Sequence, residues 1–253
     1  MQTHRITYFL IVLVLITGIL VFGQGLQRKP QKQEPQDDSR APKMGAHRVS
    51  FPVVDYDESE PADPVERDRR KEKQSRYDDF RIVAREPHSD TGEIAFIGEG
   101  GLQIPVLPTD QSNVIIVGVV QDAQAHLSAN KKNVYSEFTV QIKEVLKAET
   151  SLPANNLITV DRQGGVVRYP NGQKVLYRSL GDSMPHVGGR YMFFLRYVEP
   201  DYRILTAYEL SEKGATPLDD SPKFRNLAVR DEASFLNTVR DSLTTKPSPK
   251  QEQ

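Results

Sequence analysis

Asn113–Leu146 reads NVIIVGVVQDAQAHLSANKKNVYSEFTVQIKEVL, and this stretch decides the fold class. An unbroken apolar run, Val114 to Val120, leads into a polar turn region, and an alternating run follows from Val134 to Ile142. Val134, Ser136, Phe138, Val140 and Ile142 share one parity; Tyr135, Glu137, Thr139, Gln141 and Lys143 share the other. Side chains of a strand alternate between its faces, so the first set is expected to be buried and the second wet. The pattern slips after Lys143, with Val145 on the wet parity and Leu146 on the dry one, which a bulge or a strand end explains. Helix propensity competes over Gln141–Glu149, but the density of β-branched residues before it favours strand.

More strands follow. Leu157–Val160 is a short one, and Val166–Tyr169 and Lys174–Tyr177 flank Pro170-Asn171-Gly172. Asn-Gly supplies the positive φ angles of a tight turn, so these two read as a hairpin. Tyr191–Tyr197, YMFFLRY, is the second strongly apolar run, entered through Gly188-Gly189 and ended by Glu199-Pro200-Asp201. Tyr202–Leu210 alternates again, with Tyr202, Ile204, Thr206, Tyr208 and Leu210 against Arg203, Ala207 and Glu209. About six strands with short turns and no helix–strand alternation predict an all-β domain over residues 111–212, a small antiparallel barrel or sandwich. Residues 213–253 hold one expected helix, with Phe235, Leu236, Val239 and Leu243 on one face and Asp231 as its cap, and a polar tail from Thr244.

The strand order resembles a bacterial domain type related to the OB-fold and to the tissue-inhibitor/netrin modules. The resemblance rests on VIIVGVV, FTVQIKEVLKAE, ITVDRQGG, VGGRYMFFLRY and YRILTAYEL, which together cover roughly half of the chain. It implies an OB-like β-barrel. It carries over no inhibitory site, because that family chelates a protease metal through an N-terminal cysteine and this chain has none. Ala148 also stands where glycine is usual in the family.

The 253 residues carry a formal net charge of −1, which gives no reason to expect nucleic acid as a partner. The absence of cysteine excludes a disulfide framework, a thiol nucleophile and a Cys-based zinc site. Ile6–Phe22 is seventeen residues without a charge. A membrane helix needs roughly 20 apolar residues, with about 17 as the lower limit, whereas a secretory apolar region usually has about 7–15. Residues 1–25 are therefore read as an uncleaved signal anchor, with cleavage after Gly23 or Gly25 as the alternative. The bulk of the chain is expected outside the cytoplasm, since long C-terminal domains translocate despite flanking charges such as Arg28, Lys29 and Lys32.

Residues 26–110 are polar and read as a largely disordered linker. The charged run Glu66–Lys73, ERDRRKEK, is expected to be a solvated helix with a Glu66–Arg70 pair at i,i+4, with a docking site for a partner as the alternative. Phe51, Val53, Val54 and Tyr56 offer an apolar pin, and Ile94, Phe96 and Ile97 read as a short extra strand.

No constellation in the sequence is assigned as catalytic, cofactor-binding or metal-binding. Gly181-Asp182-Ser183, with Met184 next, resembles the serine block of a lipase/esterase family, but Ser183 needs a histidine base and none follows His186. His88, His126 and His186 fall in expected loops. Asp122, Asp161 and Asp182 fall at strand ends or in loops, where turn chemistry accounts for them. Gly98-x-Gly100-Gly101 lacks the third glycine spacing of a nucleotide loop. Tyr191, Phe193, Phe194 and Tyr197 read as core. The expectation is thus a membrane-tethered, non-enzymatic β-domain with a protein, glycan or other envelope partner; the rival is an envelope hydrolase whose carboxylates meet only on folding.

Overall fold

The computed structural model describes residues 51–98, 104–225 and 231–244. The chain divides into Met1–Ala46 and His47–Gln253, and only the second unit contains described residues. Its elements in order are β1 (Val53–Asp55), α1 (Pro64–Ser75), β2 (Arg81–His88), β3 (Gly92–Gly98), β4 (Val114–Leu127), β5 (Val134–Ala148) and β6 (Leu157–Gln163). Then come β7 (Gly165–Arg168), β8 (Lys174–Ser179), β9 (Arg190–Val198), β10 (Asp201–Ser211), β11 (Gly214–Pro217), α2 (Pro222–Arg225) and α3 (Glu232–Thr244). The domain is mostly β, as expected. No helix among the described residues is long and apolar enough to cross a membrane. The expected anchor, Ile6–Phe22, lies outside the described residues.

Two sheets carry the fold. In the larger, β4, β5, β6, β10 and β9 follow one another, and β9 pairs back onto β4, so hydrogen bonds run in a ring. Every pairing in the ring is antiparallel except β6–β10. β11 extends β10 as a flap. The smaller sheet has the order β1-β7-β8-β3-β2.

The unbroken apolar run of β4 has a simple cause. A strand covered on both faces has no wet side to keep polar. Val114, Ile116 and Val120 cluster inside the ring with Phe138, Val140, Phe193 and Ile204. Ile115 and Val117 face the other way, among Met192, Phe194, Tyr208 and α3 residues Phe235 and Val239. YMFFLRY in β9 follows the same logic. β5 has a cover on only part of its outer face, and its even positions from Val134 to Ile142 are buried as the alternation required, but Tyr135, expected on the wet face, is buried too, under Tyr77. Its slip is also real: the β4–β5 register shifts opposite Lys143 and Leu146, which leaves Val145 46 % exposed.

Two expectations need correction. In β10 the alternation does not hold through to Leu210. A register shift between Ile204 and Thr206 puts Tyr202, Ile204 and Ala207 in the ring interior, and Leu205, Tyr208 and Leu210 on the face under α3. An inserted residue reverses which parity faces the core. The second correction concerns residues 51–98, expected mainly as linker. They supply three strands and a helix. β1 pairs in parallel with β7, and β3 with β8, so a segment far upstream completes the sheet begun by the Asn171-Gly172 hairpin. Val54, Ala95 and Ile97 are buried there against Ala125, Leu127, Val134 and Val175. The hairpin forms as expected, but of the Asn171-Gly172 pair only Gly172 takes a positive φ, at +83°, and the Asn171 side chain accepts from Gln173 N–H.

α3 forms where expected. The Asp231 carboxylate accepts from the Ser234 N–H at 2.8 Å and caps it. Phe235 has no exposed surface and meets Tyr208 at 4.6 Å between ring centroids. Phe235→Ala removes this contact and leaves a cavity over β4 and β9. It should cost about 3–5 kcal/mol, read from the urea midpoint. A loss below about 1 kcal/mol would show that α3 does not cover the ring as described.

Candidate ligand-binding site

α1 begins conventionally. Asp63 caps it by accepting from Val65 N–H at 3.0 Å, and Pro64 occupies the first turn. Most of its length is exposed, as its charged sequence suggests, but one residue is not. Lys73 is only 2 % exposed. Its ammonium lies 2.9 Å from Glu137 (β5), 3.2 Å from Asp161 (β6) and 2.9 Å from Asp201 (β10). The expected Glu66–Arg70 pair is replaced by Glu66–Arg69, one residue closer. Arg76 then donates to the Val198 and Glu199 carbonyls, so the helix end is fastened to the turn between β9 and β10.

Tyr77 completes the contact. Its hydroxyl donates to Asp161 at 2.6 Å, and its ring stacks on Tyr135 at 4.4 Å and 6°. Burial alone lowers the pKa of the Lys73 ammonium, but Asp161, Glu137 and Asp201 reverse this and the net shift is upward. Burial raises the Asp161 carboxyl, against the pull of Lys73 and Tyr77. With Arg203 at 3.8 Å from Asp161 and Arg69 at 4.0 Å from Asp201, the three carboxylates face three cations.

Strand register explains the arrangement. Glu137 pairs with Asp161, Asp161 with Arg203, and Arg203 with Arg196. One row across β5, β6, β10 and β9 therefore reads acid, acid, base, base on the outer face of the ring. Lys73 covers the acidic end. Beside the basic end lies a cavity of about 790 Å³. Arg162, Arg196, Arg203 and Lys223 line it, together with Asp182 and Asp219. Tyr77, Phe80, Leu180, Leu205 and Phe224 give it apolar walls. Arg162 is held by Asp219 at 2.5 Å and Asp182 at 3.2 Å, and Asp219 also accepts from Thr206 at 2.6 Å. The Arg196 side chain makes no hydrogen bond or ion pair among the described residues. Gln163, 5 % exposed, also lines the cavity, and neither of its amide atoms has a hydrogen-bond partner among the described residues.

The residues singled out in the sequence are scattered. Asp122 is exposed on β4 and accepts from Gln124. Asp161 is in the middle of β6, not at a strand end, and is held by Lys73. Asp182 pairs with Arg162. The three carboxylates do not converge. Gly181 adopts φ +83° in the loop after β8, and nearby His186 is engaged with Tyr191 through Nδ1 at 2.6 Å. His88 bonds Thr91 at the β2–β3 turn. Gly98 ends β3, and Gly100 and Gly101 lie outside the described residues. Tyr191, Phe193 and Phe194 are core, with Tyr197 half-buried against it. His126 is not the expected loop histidine: β4 runs on to Leu127, and His126 is 4 % exposed beside Glu137 and Tyr135.

No protein-family model matches the chain, and no curated protein matches it.

His126 generates a pH prediction. Burial, helped by Arg70, Lys73 and Arg69 and opposed by Glu137, lowers its pKa from 6.5 to about 4. Between those values the unfolded chain binds more protons than the folded one, so stability falls as pH falls from 6.5 to 4. The linked loss is on the order of 3 kcal/mol. The raised pKa of Asp161 acts in the opposite sense, so the comparison must be with a variant that keeps Asp161. Denaturant unfolding at about pH 7 and about pH 4.5 should show a clearly smaller acid loss for His126→Gln than for the wild type. Equal losses would refute a buried neutral imidazole.

Proposed function

We propose that this chain is a membrane-tethered, non-enzymatic binding domain that acts outside the cytoplasm on a protein, glycan or other component of the cell envelope. The observation that carries the reading is the cavity of about 790 Å³ beside the ring, within the size range of small-molecule sites and lined by apolar walls with a few polar groups. The apolar segment Ile6–Phe22 supports the tether, and the length of the chain beyond it supports export. The ring is an OB-type barrel in this proposal, with β4, β5, β6, β9 and β10 as its five strands. Its closed order and its one parallel pair, β6–β10, support that assignment. OB-type barrels are binding folds for oligonucleotides and oligosaccharides.

The rival reading, a hydrolase using carboxylates gathered by the fold, finds less support. Asp161 and Asp182 are each neutralised by a cation within 3.2 Å, and Asp122 is remote from both in the contacts it makes. A general base needs an available lone pair near a substrate.

A photoreactive residue at Leu180, 79 % exposed on the cavity rim, tests the reading in the full chain in its own membrane. Irradiation should give an adduct at Leu180 and none at Val145, which is exposed away from the cavity lining. No adduct at Leu180, or a hydrolytic activity that Asp182→Asn abolishes, would overturn it.

A further inference from the structure

We infer that the cavity binds an acidic amphiphile, a small molecule with an anionic oxygen group on an apolar body, and that Arg196 and Arg203 receive the anion. This rests on the binding reading above and names the ligand class for the same cavity. Arg196 and Arg203 are directly opposed on β9 and β10. Like charges at opposed positions repel, since their Cβ atoms are only about 4.5–5.5 Å apart. A fold stable without a ligand gains nothing from that placement.

The acidic half of the same row shows what resolves such a conflict. Glu137 and Asp161 are likewise opposed, and the Lys73 ammonium bridges them at 2.9 and 3.2 Å. The basic half has Asp161 within 3.8 Å of Arg203, but Arg196 has no carboxylate partner among the described residues. The anions that line the cavity do not serve it, because Asp182 and Asp219 are taken up by Arg162. An external anion between Arg196 and Arg203 therefore plays the part that Lys73 plays at the other end. Guanidinium groups suit an oxyanion, which they can meet through paired N–H donors.

The rest of the ligand is set by the walls. Phe80, Leu180, Leu205 and Phe224 present apolar surface that a bare inorganic ion leaves wet. Gln163 adds a buried amide that a ligand donor or acceptor would satisfy. An anion attached to an apolar chain or ring uses both features. A neutral amphiphile uses one, and inorganic phosphate uses the other.

Isothermal titration of the full chain with octanoate, octanol and inorganic phosphate tests this, with Arg196→Gln as the variant. Arg196 holds no side-chain partner among the described residues and opposes Arg203, so R196Q should fold with an unfolding midpoint no lower than that of the wild type. Octanoate should bind one per chain, at least tenfold more tightly than octanol, and R196Q should lose about tenfold of that affinity. Phosphate should not displace octanoate at equal concentration. The inference fails if octanoate does not bind, if octanol binds as well, if R196Q binds octanoate as the wild type does, or if phosphate displaces it. A Leu180 adduct together with any of those results would sink the acidic ligand alone; loss of both would sink the binding reading as well.

Discussion

An ammonium group removed from water must be met by negative charge at contact distance, and Lys73 is the place where this chain meets that condition. Its three carboxylate neighbours come from β5, β6 and β10, strands that two of the ring's pairings, β5–β6 and β6–β10, bring side by side. The contact is thus conditional on this part of the ring, and the position of α1 is conditional on the contact. Taking one partner from such a site costs about 3–5 kcal/mol, because the remaining charges stay buried. What the arrangement supplies beyond stability is a position: a charged helix has many equivalent ways to lie on a surface, and a single buried ammonium selects one.

That position shapes the site. Tyr77, just beyond the end of α1, is carried into the cavity wall by the docked helix, where it bonds Asp161 and lies under Arg203 at 5.2 Å. Phe80 follows it. The same docking leads the chain into β2 and β3, which build the second sheet onto β8. One electrostatic contact therefore links three things: the ring, the second sheet and the wall of the cavity. The row of charge on the ring's outer face divides the labour, with its acidic end used for construction and its basic end left beside open space.

Much of the ring was legible in the sequence, and for a physical reason. Period-two burial is local, so Val134 to Ile142 announce a strand without reference to any partner, and Asn171-Gly172 announces a turn through its own φ preferences. The slip after Lys143 was visible as Val145 and Leu146 on exchanged parities. The reversal in β10 was not visible, because Ala207 and Tyr208 are both acceptable on either face and only the shift at Leu205 decides between them. Residues 51–98 misled for a different reason. Short strands such as β1 and the outer strand β2 bury little apolar surface, and the sheet they belong to forms only when β1 meets β7 and β3 meets β8, far downstream in the chain. The candidate site was least legible of all. Arg196, Arg203, Asp161 and Glu137 are ordinary in sequence, each a polar residue among the strands. They become a row only through the register of four strands, which no local pattern encodes. Lys73, in a run of eight charged residues, carries no mark that distinguishes it from Lys71, which is exposed.

The direct test of docking through Lys73 is amide hydrogen exchange across α1. A helix of twelve residues with this composition is marginal in water by itself, so any lasting protection must come from docking. Protected amides are expected from Arg69 to Lys73 in the wild-type chain, with selective loss of that protection in Lys73→Met while amides of Val140 and Phe193 in the ring stay protected. Amides of α1 that exchange at open-chain rates in the wild type, or protection that Lys73→Met leaves untouched, would contradict it.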